Sequence, residues 1–313
     1  MKHIFIVNPH AGAQSCEALV RQSLQPYDGT VDYEIYVKQH KGDSREVVRH
    51  YRTAFPHEEL RFYACGGDGT LREVAIACIG VENVAFTAFA QGSGNDYVKY
   101  YGGADNFRNI GRLLSGTKTP IDVMSVTAKS AGPDHTMLST ETWAMNATHF
   151  GLDAKVAVTM NRLRRVPLIG KKMAYPTAVV WGFLTAMRNP CEVWADGVKL
   201  NDKVILLCTA ANGSHVGGSY NCAPRSLNDD GLMEVCLVRP LPRLKFLRMM
   251  DDYKLGRHID NPKFAPYITY LRARTLTIEG PEGFCISLDG EIVYGTHFDV
   301  VNKQHALQFI TPE

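Results

Sequence analysis

Long hydrophobic runs are missing from this chain. The most apolar stretch, residues 174–187, contains Pro176 and Thr177 and falls short of the ~20 residues that span a bilayer, so any meeting with membrane is expected from its surface. Cys-x-x-Cys pairs are missing too. The eight cysteines (Cys16, Cys65, Cys78, Cys191, Cys208, Cys222, Cys236, Cys285) lie scattered with no histidine grouping nearby, which argues against a zinc site and for buried thiols in a reducing compartment. Neither sign of charge dominates: 34 Lys and Arg against 32 Asp and Glu leave +2, a balance that singles out no polyanion, and nucleic acid is not an expected partner. Repeats, low-complexity tracts and flexible linkers are absent. The start, Met1-Lys2-His3 running into apolar residues 4–7, lacks the charged segment, long apolar stretch and small-residue cleavage site of a signal peptide. A cytoplasmic protein, peripheral on membrane at most, is expected.

What is present is an ordinary globular composition, 45% hydrophobic and 21% charged with 27 Gly and 15 Pro, over 313 residues. That length exceeds one usual hydrophobic core and predicts two domains. Up to about Ser115, short apolar runs at 4–7, 33–37, 61–65 and 84–89 alternate with helical patterns such as Val47, Val48, Tyr51 and Phe55, with Asp43 or Ser44 placed to cap. This predicts an α/β domain with a parallel sheet over residues 1–120. After Thr119 longer alternating segments appear, at 121–128, 203–211, 232–238, 271–278 and 298–310. They predict a larger β-rich, mainly antiparallel C-terminal domain over 121–297, with helices near 152–165, 174–188 and 244–256.

The chemistry gathers in loops after the N-terminal strands, where open parallel sheets place ligands. Run 61–65 leads into Gly66-Gly67-Asp68-Gly69-Thr70 and then the helix start Leu71-Arg72-Glu73-Val74; run 84–89 leads toward Gly92-Ser93-Gly94-Asn95-Asp96. Glycines let successive amides turn inward and a helix N-terminus adds partial positive charge, so two such loops on neighbouring strands suggest a polyphosphate. Asp68 would repel that ligand unless a cation or a ribose hydroxyl intervenes, which points to a metal-nucleotide. For the second loop alone, simple chain turning is an equal reading. No Gly-x-x-x-x-Gly-Lys-Ser/Thr loop occurs, Tyr97 stands where a dinucleotide fingerprint needs a small residue, and the protein-kinase motif set is absent.

Further fragments follow in order: Val7-Asn8-Pro9-His10-Ala11-Gly12 before the glycine loops, then Asn146-Ala147-Thr148-His149-Phe150-Gly151-Leu152-Asp153-Ala154, Ala223-Pro224, Asn228-Asp229-Asp230-Gly231-Leu232 and Leu288-Asp289-Gly290-Glu291. With them the chain resembles, over nearly its whole length, the diacylglycerol kinase catalytic-domain family, which includes bacterial lipid kinases and the sphingosine and ceramide kinases. Gly66 to Thr70 alone would indicate only the wider group that also holds NAD kinases and phosphofructokinases. The resemblance implies a phosphofructokinase-like N-terminal nucleotide domain, to which the last strand near 298–313 returns, a C-terminal domain that receives lipid, and an active site in the cleft between them. It implies ATP and Mg2+ as cofactors, contacted by Asn8, Gly66, Gly67, Asp68, Gly69, Thr70, Glu73, Gly92 and Ser93. It makes Asp289 the general base, with Glu291 orienting Asp289 or the metal, or simply solvated. It also implies a structural magnesium on the Asp230 carboxylate and the carbonyls of Leu227 and Leu232, the alternative being a plain Asn-Asp-Asp-Gly turn. Two positions depart from the family pattern: Lys38 replaces the usual Thr, and Ala90 the usual Pro. Lys38 reads either as a phosphate contact or as a solvated strand-end lysine.

Asp-Gly is also the strongest hairpin dipeptide; Asp28 and Asp196 read as turns alone, whereas at Asp289 a hairpin would itself present the carboxylate. Residues 162–172 place an apolar loop between basic clusters, to be read as an interfacial loop on a membrane or as a solvated helix end. The function expected is a lipid kinase transferring the ATP γ-phosphate to a lipid hydroxyl, diacylglycerol first, at a membrane surface. A kinase for a soluble acceptor such as NAD and a non-catalytic nucleotide- or lipid-binding protein stay open, as does the oligomeric state, a homodimer included.

Overall fold

The computed structural model describes residues 1–12, 15–131, 137–164, 166 and 170–313. They form two compact units, one of Met1–Val123 with Gly217–Ser219 and Gln304–Glu313, the other of Met124–Val216 with Tyr220–Lys303.

The first unit is a parallel α/β layer. Its strands β1 (Lys2–Val7), β2 (Tyr33–Val37), β3 (Leu60–Gly66) and β4 (Val84–Ala90) lie in the order β2-β1-β3-β4. The end of the last strand, His297–Thr311, lies parallel beside β4 with Phe309 opposite Phe86. Every residue of β1 and β4 is buried, as expected of strands covered on both faces. The covering helices are α1 (Cys16–Leu24), capped by the Ser15 hydroxyl, α2 (Ser44–Ala54) and α3 (Asp68–Cys78), with a short α4 (Ile110–Leu114) before the strand β5 (Thr117–Ala131).

The second unit is mainly antiparallel β. One sheet has six strands in the order Ile268–Ala273, Met233–Val238, Leu207–Ala211, β7 (Ala147–Gly151), Cys285–Leu288 and Glu291–Tyr294. A second is built from Val198–Lys199, Glu192–Ala195, Thr275–Glu279 and the start of His297–Thr311, with β5 and β6 (Met137–Ala144) alongside. Phe150, Val235 and Ile286 of the first sheet share one core with Val193, Leu276 and Phe298 of the second, which makes the pair a sandwich. A second core lies beneath α5 (Leu152–Leu163), α6 (Gly170–Thr185) and α7 (Arg243–Lys254), where Phe246, Met249 and Tyr253 pack on Leu207, Cys236 and Val238.

Two alternating runs are not single strands. The run at 271–278 breaks at Arg274, because the Asp196 carboxylate takes the N–H groups of Arg274 (3.1 Å) and Thr275 (2.8 Å), so its halves join different sheets. The run at 203–211 breaks at Leu206, which separates Val204–Ile205 from Leu207–Ala211. Of the segment 162–172, Arg165, Pro167, Leu168 and Ile169 lie outside the described residues, so the interfacial-loop reading falls largely outside them too. No helix among the described residues is long and apolar enough to cross a membrane.

Candidate functional site

The order β2-β1-β3-β4 places a topological switch between β1 and β3. The chain leaves β1 for β2 on one side and returns to β3 on the other, the arrangement at whose carboxyl ends open parallel sheets place ligands. Asn8, the first residue after β1, sits at that edge. Its N–H donates to the Cys65 carbonyl (3.0 Å), its Nδ2 donates to Thr70 Oγ1 (3.2 Å), and its Oδ1 accepts from the His10 N–H (3.0 Å). Thr70 is buried on the first turn of α3, whose N-cap Gly67 offers no side-chain cap, leaving the helix terminus with its partial positive charge.

The two glycine loops touch back to back. A Cβ built on Gly92 would stand 2.4 Å from Gly67 Cα and 2.7 Å from Asn95 Oδ1, and one on Gly67 would stand 3.0 Å from Gly92 Cα. Gly67 has φ −98, open to any residue, so close approach rather than backbone freedom requires glycine there. Asn95, at φ 49, holds Gly92 by both backbone groups, its Oδ1 accepting from Gly92 N–H (3.1 Å) and its Nδ2 donating to Gly92 O (2.7 Å). Gly66 is closed off by Thr70 Oγ1, 2.4 Å from its built Cβ, whereas nothing lies within 4 Å of one on Gly69. Ser93 is exposed at the loop tip.

Asp68 joins the loops. Its Oδ1 accepts from the N–H groups of Asp96 (2.6 Å) and Tyr97 (3.4 Å). Burial pushes the Asp68 carboxyl up to about 6, the charge of Asp96 adds to the push, and those amides oppose it. Asp96 in turn accepts from Gly218 N–H (3.0 Å) and from Lys99 Nζ (2.6 Å), while Lys99 also donates to the Gly218 carbonyl (2.7 Å). A half-buried carboxylate crowded by a second one at the head of two glycine loops is a donor set that fits a divalent cation with phosphate.

A pH dependence follows. The folded-state value of Asp68 lies above its ordinary 3.8, so the ligand-free protein takes up a proton as pH falls through about 6, and gains stability from this group down toward 4. A magnesium-nucleotide held through Asp68 would need the ionised form, and its affinity would then fall about tenfold per pH unit below about 6. Titration calorimetry between about pH 7 and 5 measures this, with Asp68→Asn as reference for protonation of the nucleotide itself. Equal pH slopes in both proteins would separate Asp68 from the cation.

Glu73 and Lys38 meet each other. Glu73 Oε1 accepts from Lys38 Nζ, Gly42 N–H (3.0 Å), Ser44 N–H (3.3 Å) and Ser44 Oγ (2.8 Å). Lys38 also pairs with Asp43 at 3.1 Å, all three side chains being largely buried. Burial raises the Glu73 carboxyl, but the bonds from Lys38 and Ser44 outweigh it and hold it below its ordinary value. Lys38 is thus neither solvated nor extended toward a ligand, and the contacts of Glu73 fasten the first turn of α2 onto α3.

In the second unit Asp289 and Gly290 form a two-residue hairpin, with φ 50 and 92, between Leu288 and its partner Glu291, the geometry of a type I′ turn. The Asp289 carboxylate is held by three amides: Met145 N–H donates to Oδ2 (2.7 Å), and those of Asn146 (3.0 Å) and Ala147 (2.8 Å) to Oδ1. Asn146 is tied further by its Nδ2, which donates to the His215 carbonyl (2.9 Å). Glu291 is half-buried at the head of the next strand.

Asp230 has a different partner from the one expected. Its Oδ1 accepts from Leu232 N–H (2.9 Å) and its Oδ2 is ion-paired with Arg272. Arg272 lies 3.2 Å from Glu234 as well, directly across the sheet. The magnesium expected on the Asp230 carboxylate with the Leu227 and Leu232 carbonyls would have to displace that guanidinium, whereas an arginine-compensated turn needs no rearrangement. Without nucleotide, the melting temperature in chelator and in magnesium should agree within about 1 °C. A chelator-sensitive wild type whose response disappears in Asp230→Ala would restore the metal.

Asp96, Asn95 and Gly218 were not among the candidates; the Asn95-Asp96 pair was visible in the second loop, but Gly218 has no local signal. A cavity of about 240 Å³ lined by Cys78, Val84, Lys118 and His305 lies at the amino-terminal end of β4, away from both glycine loops at its carboxyl side, and takes no part in this site.

Residues 2–126 match the model of the diacylglycerol kinase catalytic domain, and residues 146–309 that of the YegS C-terminal NAD kinase beta sandwich-like domain. A Cronobacter sakazakii protein named "Probable lipid kinase YegS-like" is 25% identical over 283 residues, 89% of this chain and 86% of that protein. A Bacillus subtilis diacylglycerol kinase is 22% identical over 318 residues, 98% of this chain and 95% of its own. A crystal structure of a Bacillus anthracis diacylglycerol kinase superposes with TM-score 0.68 at 19% identity, covering 99% and 96% of the two chains, which bears on the fold alone.

Proposed function

The chain belongs to the diacylglycerol kinase catalytic-domain family, and on that premise we propose that it is a lipid kinase transferring the γ-phosphate of Mg-ATP to a lipid hydroxyl, with diacylglycerol the first acceptor to test. The observation that supports phosphoryl transfer is the pair of glycine loops packed Gly67 on Gly92 with Asp68 at their junction. The relatives' names support a lipid acceptor.

Magnesium, when bound, neutralises charge on the phosphates. Asp68 would hold it, ionised at neutral pH, and Asp96 supports Asp68 through its N–H. Asn8 fixes Thr70, so that the first turn of α3 presents its amides in one orientation. Asp289 accepts the proton of the acceptor hydroxyl; three amides orient its carboxylate on a rigid hairpin, so positioning supplies much of what a carboxylate lacks in basicity. Glu291 is assigned no step.

Purified protein with labelled ATP and a panel of diacylglycerol, monoacylglycerol, sphingoid base, ceramide and NAD tests this, read as labelled product. Label in a lipid is the expected result, and label in NAD alone would overturn the assignment.

A further inference from the structure

Three consecutive amides wrap the Asp289 carboxylate, and the middle one belongs to Asn146. Asn146 is 9% exposed. Its Nδ2 donates to the His215 carbonyl (2.9 Å), which fixes how the amide is turned, because a carbonyl only accepts and the opposite turn would set oxygen against oxygen. Oδ1 is therefore a pure acceptor turned away from His215, and nothing among the described residues donates to it. It lies four bonds from the Asn146 nitrogen, itself 3.0 Å from the Asp289 carboxylate, so it stands within about 8 Å of that group.

The same shortage recurs along the neighbouring strand. Ser287, two residues before Asp289 on Cys285–Leu288, is fully buried, and its Oγ also has no hydrogen-bond partner among the described residues. Backbone groups close by are matched: the Asn146 carbonyl accepts from the N–H groups of Asn212 (2.9 Å) and Gly213 (3.0 Å). Buried polar atoms are nearly always paired, and one left unpaired lowers stability. Two of them beside the candidate base point to a ligand that supplies the missing bonds.

Chemistry names the class of that ligand. Oδ1 is satisfied only by a donor, and the donor must stand close to the hydroxyl whose proton Asp289 takes. An alcohol with a second hydroxyl or an amine on the adjoining carbon carries such a group, as a monoacylglycerol and a sphingoid base do. A diacylglycerol does not. Once its single hydroxyl is committed to Asp289, its ester oxygens only accept, and beside Oδ1 they would set acceptor against acceptor.

We propose that Asn146 Oδ1 selects the acceptor, which is a lipid alcohol with a second hydrogen-bond donor on the neighbouring carbon, a monoacylglycerol or a sphingoid base in preference to a diacylglycerol. The proposal rests on the lipid-kinase reading and narrows its acceptor.

The test compares two substrates that differ by one donor: a 1-monoacylglycerol and its 2-O-methyl ether, dispersed in the same detergent micelles with labelled ATP, and a diacylglycerol beside them. Wild type should show a kcat/KM roughly tenfold or more higher for the monoacylglycerol than for the ether, since a site built to bond a hydroxyl rejects the analogue that lacks it. Asn146→Leu should bring that ratio near one, chiefly by losing activity on the monoacylglycerol. Both substrates use Asp289, so any loosening of its carboxylate lowers both rates alike and leaves the ratio unmoved. Asn146→Asp, which keeps an oxygen at this place, should keep the ratio. If Asn146→Leu does not fold by circular dichroism, the wild-type ratio and Asn146→Asp decide. A wild-type ratio near one, with diacylglycerol used as readily, assigns Oδ1 to a buried water and overturns the proposal while leaving the kinase reading in place. A folded Asn146→Leu protein with the wild-type ratio overturns it too, as does loss of the ratio in Asn146→Asp. No label in any lipid sinks the kinase reading, and the proposal with it.

Discussion

Asp289→Asn is expected to lower kcat by roughly 10²- to 10⁴-fold, the usual effect of losing a positioned base, with Mg-ATP affinity unchanged. Asparagine tolerates the positive φ of 50 at this position, so the hairpin should persist. Stability will not be untouched, however. The carboxylate accepts N–H bonds on both oxygens, from Met145 on one and from Asn146 and Ala147 on the other. Whichever way an amide is turned, its NH₂ faces at least one backbone donor. The less costly orientation leaves the Met145 N–H unmatched, at about 1–3 kcal/mol, a shift of several degrees in Tm. Turnover must therefore be measured at a temperature where circular dichroism shows the variant fully folded, alongside its ATP affinity. A folded Asp289→Asn enzyme of wild-type activity would pass the proton to another group, Glu291 being the first to examine.

Gly92→Ala should weaken Mg-ATP binding by roughly tenfold or more, and Gly69→Ala separates the reasons. At Gly92 the added methyl meets the Gly67 backbone at 2.4 Å, so the loops must part, at an overpacking cost of about 1–3 kcal/mol. At Gly69 the methyl meets nothing within 4 Å and the residue lies in α3. Stability there should hold or rise by up to about 1 kcal/mol, while affinity drops if that open space receives the phosphates. Calorimetric Kd and Tm on both variants decide it. Gly69→Ala with unchanged affinity would place the phosphates elsewhere, and Gly92→Ala with unchanged Kd and Tm would remove the back-to-back loops from the binding argument.

Where local chemistry decides structure, the sequence was readable. The buried runs of the first unit are strands because apolar residues fill them on both faces, and the Asp196-Gly197 and Asp289-Gly290 dipeptides turn hairpins because those residues accept positive φ. Readability failed where a distant side chain intervenes. The run at 271–278 alternates like one strand, and only the carboxylate of Asp196, brought in from another hairpin, shows why it is two.

The candidate site divides in the same way. Asp68, Thr70 and the two glycine loops follow their strands in an order that the sequence alone determined, since a strand-to-helix joint is a local event, and so did the family. Partner choice was left to the tertiary structure. Glu73 meets Lys38 across 35 residues of chain and Asp96 meets Gly218 across 122, and Asp230 meets Arg272 because two strands pair. Gly67 needs to be glycine because Gly92 arrives against it. Charge pairing and close approach depend on distance in space, which no spacing along the chain encodes, so only the tertiary structure could decide which carboxylates meet a cationic side chain, as Glu73 and Asp230 do, and which, like Asp68, accept from backbone amides.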